Sequence, residues 1–102
     1  MGIDVQLRDE RGVVLVDVGD ERFLLSRAVT NGVFGETNLL RYVVPWGDAI
    51  FNQAQAGDLM IDARCVISDA NDKALADHMS KILPLIERLE KEVHSYLWFI
   101  GD

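Results

Sequence analysis

Between residues 72 and 94 the apolar side chains Leu75, Met79, Ile82, Ile86, Leu89 and Val93 recur at steps of four and three. On a helix of 3.6 residues per turn they share one narrow face. The run Tyr96-Leu97-Trp98-Phe99-Ile100, apolar at every position, follows almost at once. A long amphipathic helix therefore delivers the chain straight into a strand that is apolar on both sides. Such a strand belongs in the middle of a sheet with cover on both faces. The polar segment Ser68-Asp69-Ala70-Asn71-Asp72 opens the helix with good capping residues, and Asp69 and Asp72 suit the positive end of its dipole.

Pro84 falls at the middle of this helix. A proline there removes one backbone bond and crowds the preceding turn, typically at about 3 kcal/mol. The apolar face nevertheless keeps its register across the proline. That predicts one bent helix rather than two pieces, 72–82 and 85–94. On the far face Asp77–Lys81 and Glu87–Lys91 have i,i+4 spacing for ion pairs.

The N-terminal half reads as strands and turns. Ile3, Val5 and Leu7 alternate with Asp4, Gln6 and Arg8, as in a half-buried strand. The loop Asp9-Glu10-Arg11-Gly12 turns the chain into a β-branched return strand, Val13–Val18. Asp20 then caps a short helix over Glu21–Val29. Asn31-Gly32 suits either the end of that helix or a hairpin turn. Residues 30–38 read as loop. Leu39–Val44 reads as a strand that turns at Pro45-Trp46-Gly47-Asp48 into Ala49-Ile50-Phe51, a second hairpin. Asp58 caps Leu59–Ser68, read as helix, although Met60, Ile61 and Ile67 fit a strand nearly as well.

The expected fold is thus a single α+β domain over 1–102. Two β-hairpins and the C-terminal strand form one antiparallel or mixed sheet packed by helices, in the order β-β-α-β-β-α-α-β.

Charge and composition narrow the partners. The 102 residues include 17 acidic and 10 basic side chains, for a net charge of −7. The acidity is spread along the chain and no basic run interrupts it, which argues against nucleic acid. No apolar run approaches the ~20 residues that span a bilayer. Met1-Gly2-Ile3-Asp4 lacks the basic start and apolar stretch of a secretory leader. The single cysteine, Cys65, excludes an internal disulfide, and packing alone must hold the fold, as suits a cytoplasmic protein.

Candidate chemistry is sparse. His78 and His94 are 16 residues apart, roughly 24 Å along one helix, too far to share an ion. His78 borders the apolar stripe and reads as a packed, hydrogen-bonded edge histidine. Cys65 sits in an apolar stretch without a nearby base and reads as a buried structural thiol. No spacing suggests a catalytic group, a metal site or a cofactor. Asp58 and Asp62 can share a helix face as a carboxylate pair, and Asp48 and Asn52 can project polar groups from the second hairpin. The simpler reading of all four is solvated surface. Trp46, at a turn, is either folded onto the core, the preferred reading, or exposed as an anchor for a partner.

Three stretches carry a resemblance: Met1-Gly2-Ile3-Asp4, then Trp46-Gly47-Asp48-Ala49-Ile50-Phe51-Asn52, then Tyr96-Leu97-Trp98-Phe99-Ile100-Gly101-Asp102. They resemble a set of small bacterial proteins that begin Met-Gly-(Ile/Leu)-Asp, carry Gly-Asp-x-x-Phe-Asn and end in Phe-Ile-Gly-Asp. The resemblance implies a bacterial, single-domain, cytoplasmic protein and supplies no catalytic residues. Where this chain has Ala54-Gln55-Ala56-Gly57, that set tends to show helical sequence.

Together these readings favour a non-enzymatic acidic interaction protein whose partner has a basic surface, such as an immunity-type inhibitor. Its contact residues would come from Trp46, Asp48, Asn52, Asp58 and Asp62. The alternative is a homo-oligomeric small-ligand binder or minor enzyme with a pocket near the Trp46–Asn52 hairpin. A straight 23-residue helix is about 35 Å long, so a homodimer paired through the 72–94 helix is compatible with both readings.

Overall fold

The computed structural model describes residues 2–101; Met1 and Asp102, the outer residues of the terminal motifs, lie outside them. Strands β1 (Ile3–Asp9), β2 (Val14–Val18), β3 (Asp48–Phe51) and β4 (Ser95–Gly101) form one antiparallel sheet in the order β2-β1-β4-β3. Of the helices α1 (Leu24–Thr30), α2 (Ala56–Asp69) and α3 (Lys73–Lys91), α3 lies against the sheet, and α1 and α2 pack against α3. The α+β class is as the sequence predicts, and so is the order of the elements apart from the strand expected at 39–44. Among the described residues no helix is long and apolar enough to cross a membrane.

The inner face of the sheet is built by alternation. Ile3, Val5 and Leu7 of β1, Leu97 and Phe99 of β4 and Phe51 of β3 are all buried. Phe51 and Phe99 meet edge to face with ring centroids 5.7 Å apart, the arrangement favoured by aromatic quadrupoles. Against this face lies α3. It runs unbroken through Pro84, and Leu75, Met79, Ile82, Leu85, Ile86 and Leu89 are buried. The stripe is therefore consumed by the chain's own core. A homodimer paired through this helix loses its basis, since only Val93, beyond the helix end, is left in solvent at 65% exposure.

The ion pairs on the helix surface are not the expected Asp77–Lys81 and Glu87–Lys91. Lys81 reaches back to Glu21, 3.0 Å away, while Asp77 takes Lys73 and Arg88 takes Glu92. The Lys81 and Arg88 contacts hold the Glu21 and Glu92 carboxyls below the usual carboxylate range.

Asn31-Gly32 ends α1. Gly32 takes the left-handed φ of +76°, and the Val33 N–H closes on the Ala28 carbonyl at 2.9 Å, a glycine-terminated helix end. At its start, Asp20 is the capping residue as expected, but it also holds more. Its carboxylate accepts from the N–H of Leu25 at 2.8 Å, of Ser26 at 3.1 Å and of Ile3 at 2.8 Å. One side chain thus fastens the first residue of β1 to α1. Between them Arg22 and Phe23 both take left-handed backbone, φ 52° and 58°, and a short 310 turn spans Glu21–Phe23.

Three expectations give way. Residues 39–44 are not a strand. Asp62, buried on α2, accepts from the N–H of Asn38, Leu39 and Leu40 at 2.9, 2.7 and 3.2 Å. Those donors are then lost to any ladder, and Leu40–Tyr42 closes as a 310 turn. β3 accordingly has no hairpin partner before it and pairs with β4 instead.

The helical reading of the middle segment holds, but α2 starts earlier than Asp58. A 310 turn over Gln53–Gln55, capped by Asn52, leads into it: the Asn52 N–H donates to Gln55 Oε1 at 2.9 Å and the Gln55 N–H to the Asn52 carbonyl at 3.0 Å. Asp58 lies inside the first turn, where the helix dipole favours it.

Finally, β4 is central but covered on one face only. Tyr96, Trp98 and Ile100 are half-buried on the side away from the helices. The helices have apolar surface for a single layer, and the outer aromatics tolerate partial exposure because their polar tips and rings accept water and cations.

Replacing Asp62 by Ala strands three backbone donors at a buried site. Urea denaturation is expected to show a loss of about 3 kcal/mol, against no more than about 0.5 kcal/mol for exposed Asp58→Ala. Equal effects would show that the Asp62 carboxylate does not organise the 38–42 segment.

Candidate functional site

The uncovered face of the sheet is the first candidate. The strand register aligns Asp17 of β2, Gln6 of β1, Trp98 of β4 and Ile50 of β3 in one row across all four strands. A second row carries Val14, Arg8 and Tyr96, and a third carries Asp4, Ile100 and Asp48. These polar groups order one another. The Asp17 carboxylate accepts from Gln6 Nε2 at 3.2 Å, and Gln6 Oε1 accepts from Arg8 Nε and Nη2 at 2.9 and 2.7 Å. Arg8 is thereby held over the Trp98 ring, 4.3 Å from its centroid. Such a contact is worth about 0.5–1 kcal/mol when exposed.

The face is therefore an apolar strip, Trp98, Ile50 and Ile100, set among the exposed carboxylates of Asp4, Asp17 and Asp48. Ile50 is 48% exposed on edge strand β3. The sequence pattern concealed this site, because Tyr96–Ile100 reads as covered on both sides. The alternation Asp4-Gln6-Arg8 against Ile3-Val5-Leu7 was the signal that β1 has one wet face.

The residues singled out from the sequence do not converge. Trp46, in the turn before β3, is 77% exposed and not folded onto the core. The chain is pinned there by the Gly101 N–H, which donates to the Gly47 carbonyl at 2.9 Å, and the backbone of Val44 and Pro45 fills the space where a Cβ on Gly101 would stand. That backbone anchor fixes the turn without recruiting the indole. Asp48 lies on the open sheet face, two residues from Trp46. Asn52 is exposed at the start of α2, and Asp58 is exposed in its first turn. Asp62 alone points inward, so it and Asp58 form no carboxylate pair.

A cleft of about 490 Å³ lies away from the Trp46–Asn52 segment, between the 33–38 loop, α2 and the start of α3. Val33, Ile61, Val66 and Leu75 make its apolar wall, and Glu36, Asp69 and Asp72 supply carboxylates. Cys65 lines it as well and is exposed, which corrects the buried-thiol reading: Leu59, Ala63 and Val66 define the inner face of α2 and leave position 65 outside it. A smaller depression next to it shares Val33, Asp72 and Leu75 and is bordered by Arg27.

His78 is the remaining group of note. It is buried as a packed histidine, but neither ring nitrogen has a hydrogen-bond partner among the described residues. Its Nε2 lies 3.9 Å from Asp20 Oδ1, too long for a hydrogen bond. Burial lowers its pKa from the ordinary histidine value, with Lys81 acting in the same direction; Asp20, the stronger of the two opposing carboxylates, and Glu21 act against it. Among the described residues no three His, Cys, Asp or Glu side chains are grouped to hold a metal ion.

Comparison with known proteins adds no relative: no family model, no curated protein and no solved structure matches the chain.

Because His78 titrates lower in the folded than in the unfolded chain, the unfolded state binds more protons as pH falls through the histidine range. Stability should then drop from pH 7.5 towards pH 5.5, by no more than about 1.4 kcal/mol per pH unit for this one proton. His78→Leu should flatten that slope in urea titrations. An unchanged slope in His78→Leu would assign the pH dependence to other groups.

Proposed function

We propose that the protein is a non-enzymatic, acidic interaction module that binds a protein with a basic surface through the uncovered face of its sheet. The observation that carries this reading is the strip Trp98–Ile50–Ile100 flanked by the carboxylates of Asp4, Asp17 and Asp48. Half-exposed aromatic and aliphatic groups supply burial on association, and tryptophan is enriched among residues that dominate binding. The surrounding carboxylates, with the net charge of −7, attract a cationic partner and set its orientation. Trp46, exposed beside the same sheet edge, extends the apolar contact, and Asp48 belongs to the face itself.

An immunity-type inhibitor is one form of such a module. Its acidic face would lie over the basic working surface of a toxin, for instance a nuclease, and block access of the natural anionic substrate. An exposed, unpaired cysteine is suited to a reducing bacterial cytoplasm, where such an inhibitor would act.

The test is capture of partners from the native cell on immobilised protein, compared with the Ile50→Glu variant, whose exposed site tolerates the change. A basic protein should be retained at low salt and released at high salt, and its retention should fall about tenfold or more with Ile50→Glu, the ratio given by roughly 1.4 kcal/mol. Recovery of nothing at low salt, or equal recovery by both proteins, would overturn the proposal.

A further inference from the structure

The cleft between the 33–38 loop, α2 and α3 is separate from the sheet face, and the geometry points to a second site there: it takes a small organic amine, a cationic group on an aromatic or aliphatic body. Size limits the occupant first. About 490 Å³ falls within the roughly 300–1,000 Å³ of small-molecule sites. The wall formed by Val33, Ile61, Val66 and Leu75 provides burial for an apolar body. Ile61 is 55% exposed, so the wall is accessible and not closed over.

The sign of the charge follows from the rim. Glu36, Asp69 and Asp72 all border the cleft, and none has an ion-pair partner among the described residues. Asp72 spends one carboxylate oxygen on the Ala74 N–H at 2.9 Å. Asp62, which also borders the cleft, spends both on the backbone of the 38–40 segment. Cations are held elsewhere: Lys73 is paired with Asp77, and Arg27 borders only the adjoining depression. The negative C-terminal end of α2 and the positive N-terminal end of α3 lie side by side and offset each other. The carboxylates thus decide the field, and an amine entering with its apolar body against α2 meets them at the rim. An anion of the same shape meets repulsion there.

Cys65, the only cysteine of the chain, lines the cleft and reports on its occupancy. The test measures its alkylation by iodoacetamide in the full-length protein with phenylpropylamine, phenylpropionate or phenylpropanol present. Phenylpropylamine should slow alkylation saturably and half-saturate at about tenfold lower concentration than either analogue, again the ratio of roughly 1.4 kcal/mol. The double variant Glu36→Gln, Asp69→Asn changes exposed side chains without ion-pair partners. With each alkylation rate taken relative to the same variant without additive, it should erase the preference for the amine. Ile61→Lys should abolish protection. The proposal falls if the amine gives no protection, if phenylpropionate protects equally, or if the double variant keeps the preference. Since partner capture is read on the sheet face through Ile50, failure here leaves that reading standing, and the converse also holds.

Discussion

The packing of one helix stripe on one sheet face is the interaction on which this structure depends. Six buried apolar side chains of α3, from Leu75 to Leu89, join one core with the inner rows of the sheet, and the helix lies against β1, β2 and β4. Each buried side chain of this size contributes about 1.5–3 kcal/mol relative to exposure, so the stripe is a major part of the core of a chain of 102 residues. It also settles the orientation of everything else. With α3 and its neighbours on one side, the other side of the sheet has no cover. The functional reading rests on that asymmetry.

Two carboxylates do for the irregular segments what the stripe does for the regular ones. Asp20 joins the start of β1 to the start of α1 through three backbone donors, and Asp62 captures three donors of the 38–40 segment from α2. Buried backbone N–H groups need partners, and in both places a charged acceptor supplies them where no ladder or helix does. Asp20 also brings its negative charge beside unpartnered His78. This couples the β1–α1 junction to the organising helix.

These two features explain what the sequence disclosed. Periodicity is visible where burial follows a regular element, so α3, its passage through Pro84 and the alternation of β1 were legible, while the glycine stop of α1 at Gly32 was one of two readings that Asn31-Gly32 allowed. Long-range capture of backbone donors leaves no periodic trace. Leu39–Val44 is apolar and β-branched enough to read as a strand, and nothing local discloses that Asp62, more than twenty residues later, claims its N–H groups. Likewise Tyr96–Ile100 has bulky residues at every position, but a half-exposed Trp98 beneath Arg8 satisfies the same pattern as a buried one. The candidate residues were drawn from turns and helix starts, and the fold scattered them: Asn52 into the start of α2, Asp62 into the interior, Asp48 onto the sheet face, Trp46 and Asp58 into solvent. The cleft escaped notice because its residues come from the 33–38 loop and from two helices, brought together only by tertiary packing.

The central claim is that the sheet has one covered and one open face, and side-chain footprinting by hydroxyl radicals tests it most directly. In the free protein at low concentration, Trp46, Trp98, Tyr96 and Ile50 should be oxidised, while Met79, Leu97 and Phe99 should be spared. Protection of Trp98 and Ile50, or oxidation of Met79 and Phe99 at comparable rates, would contradict the account.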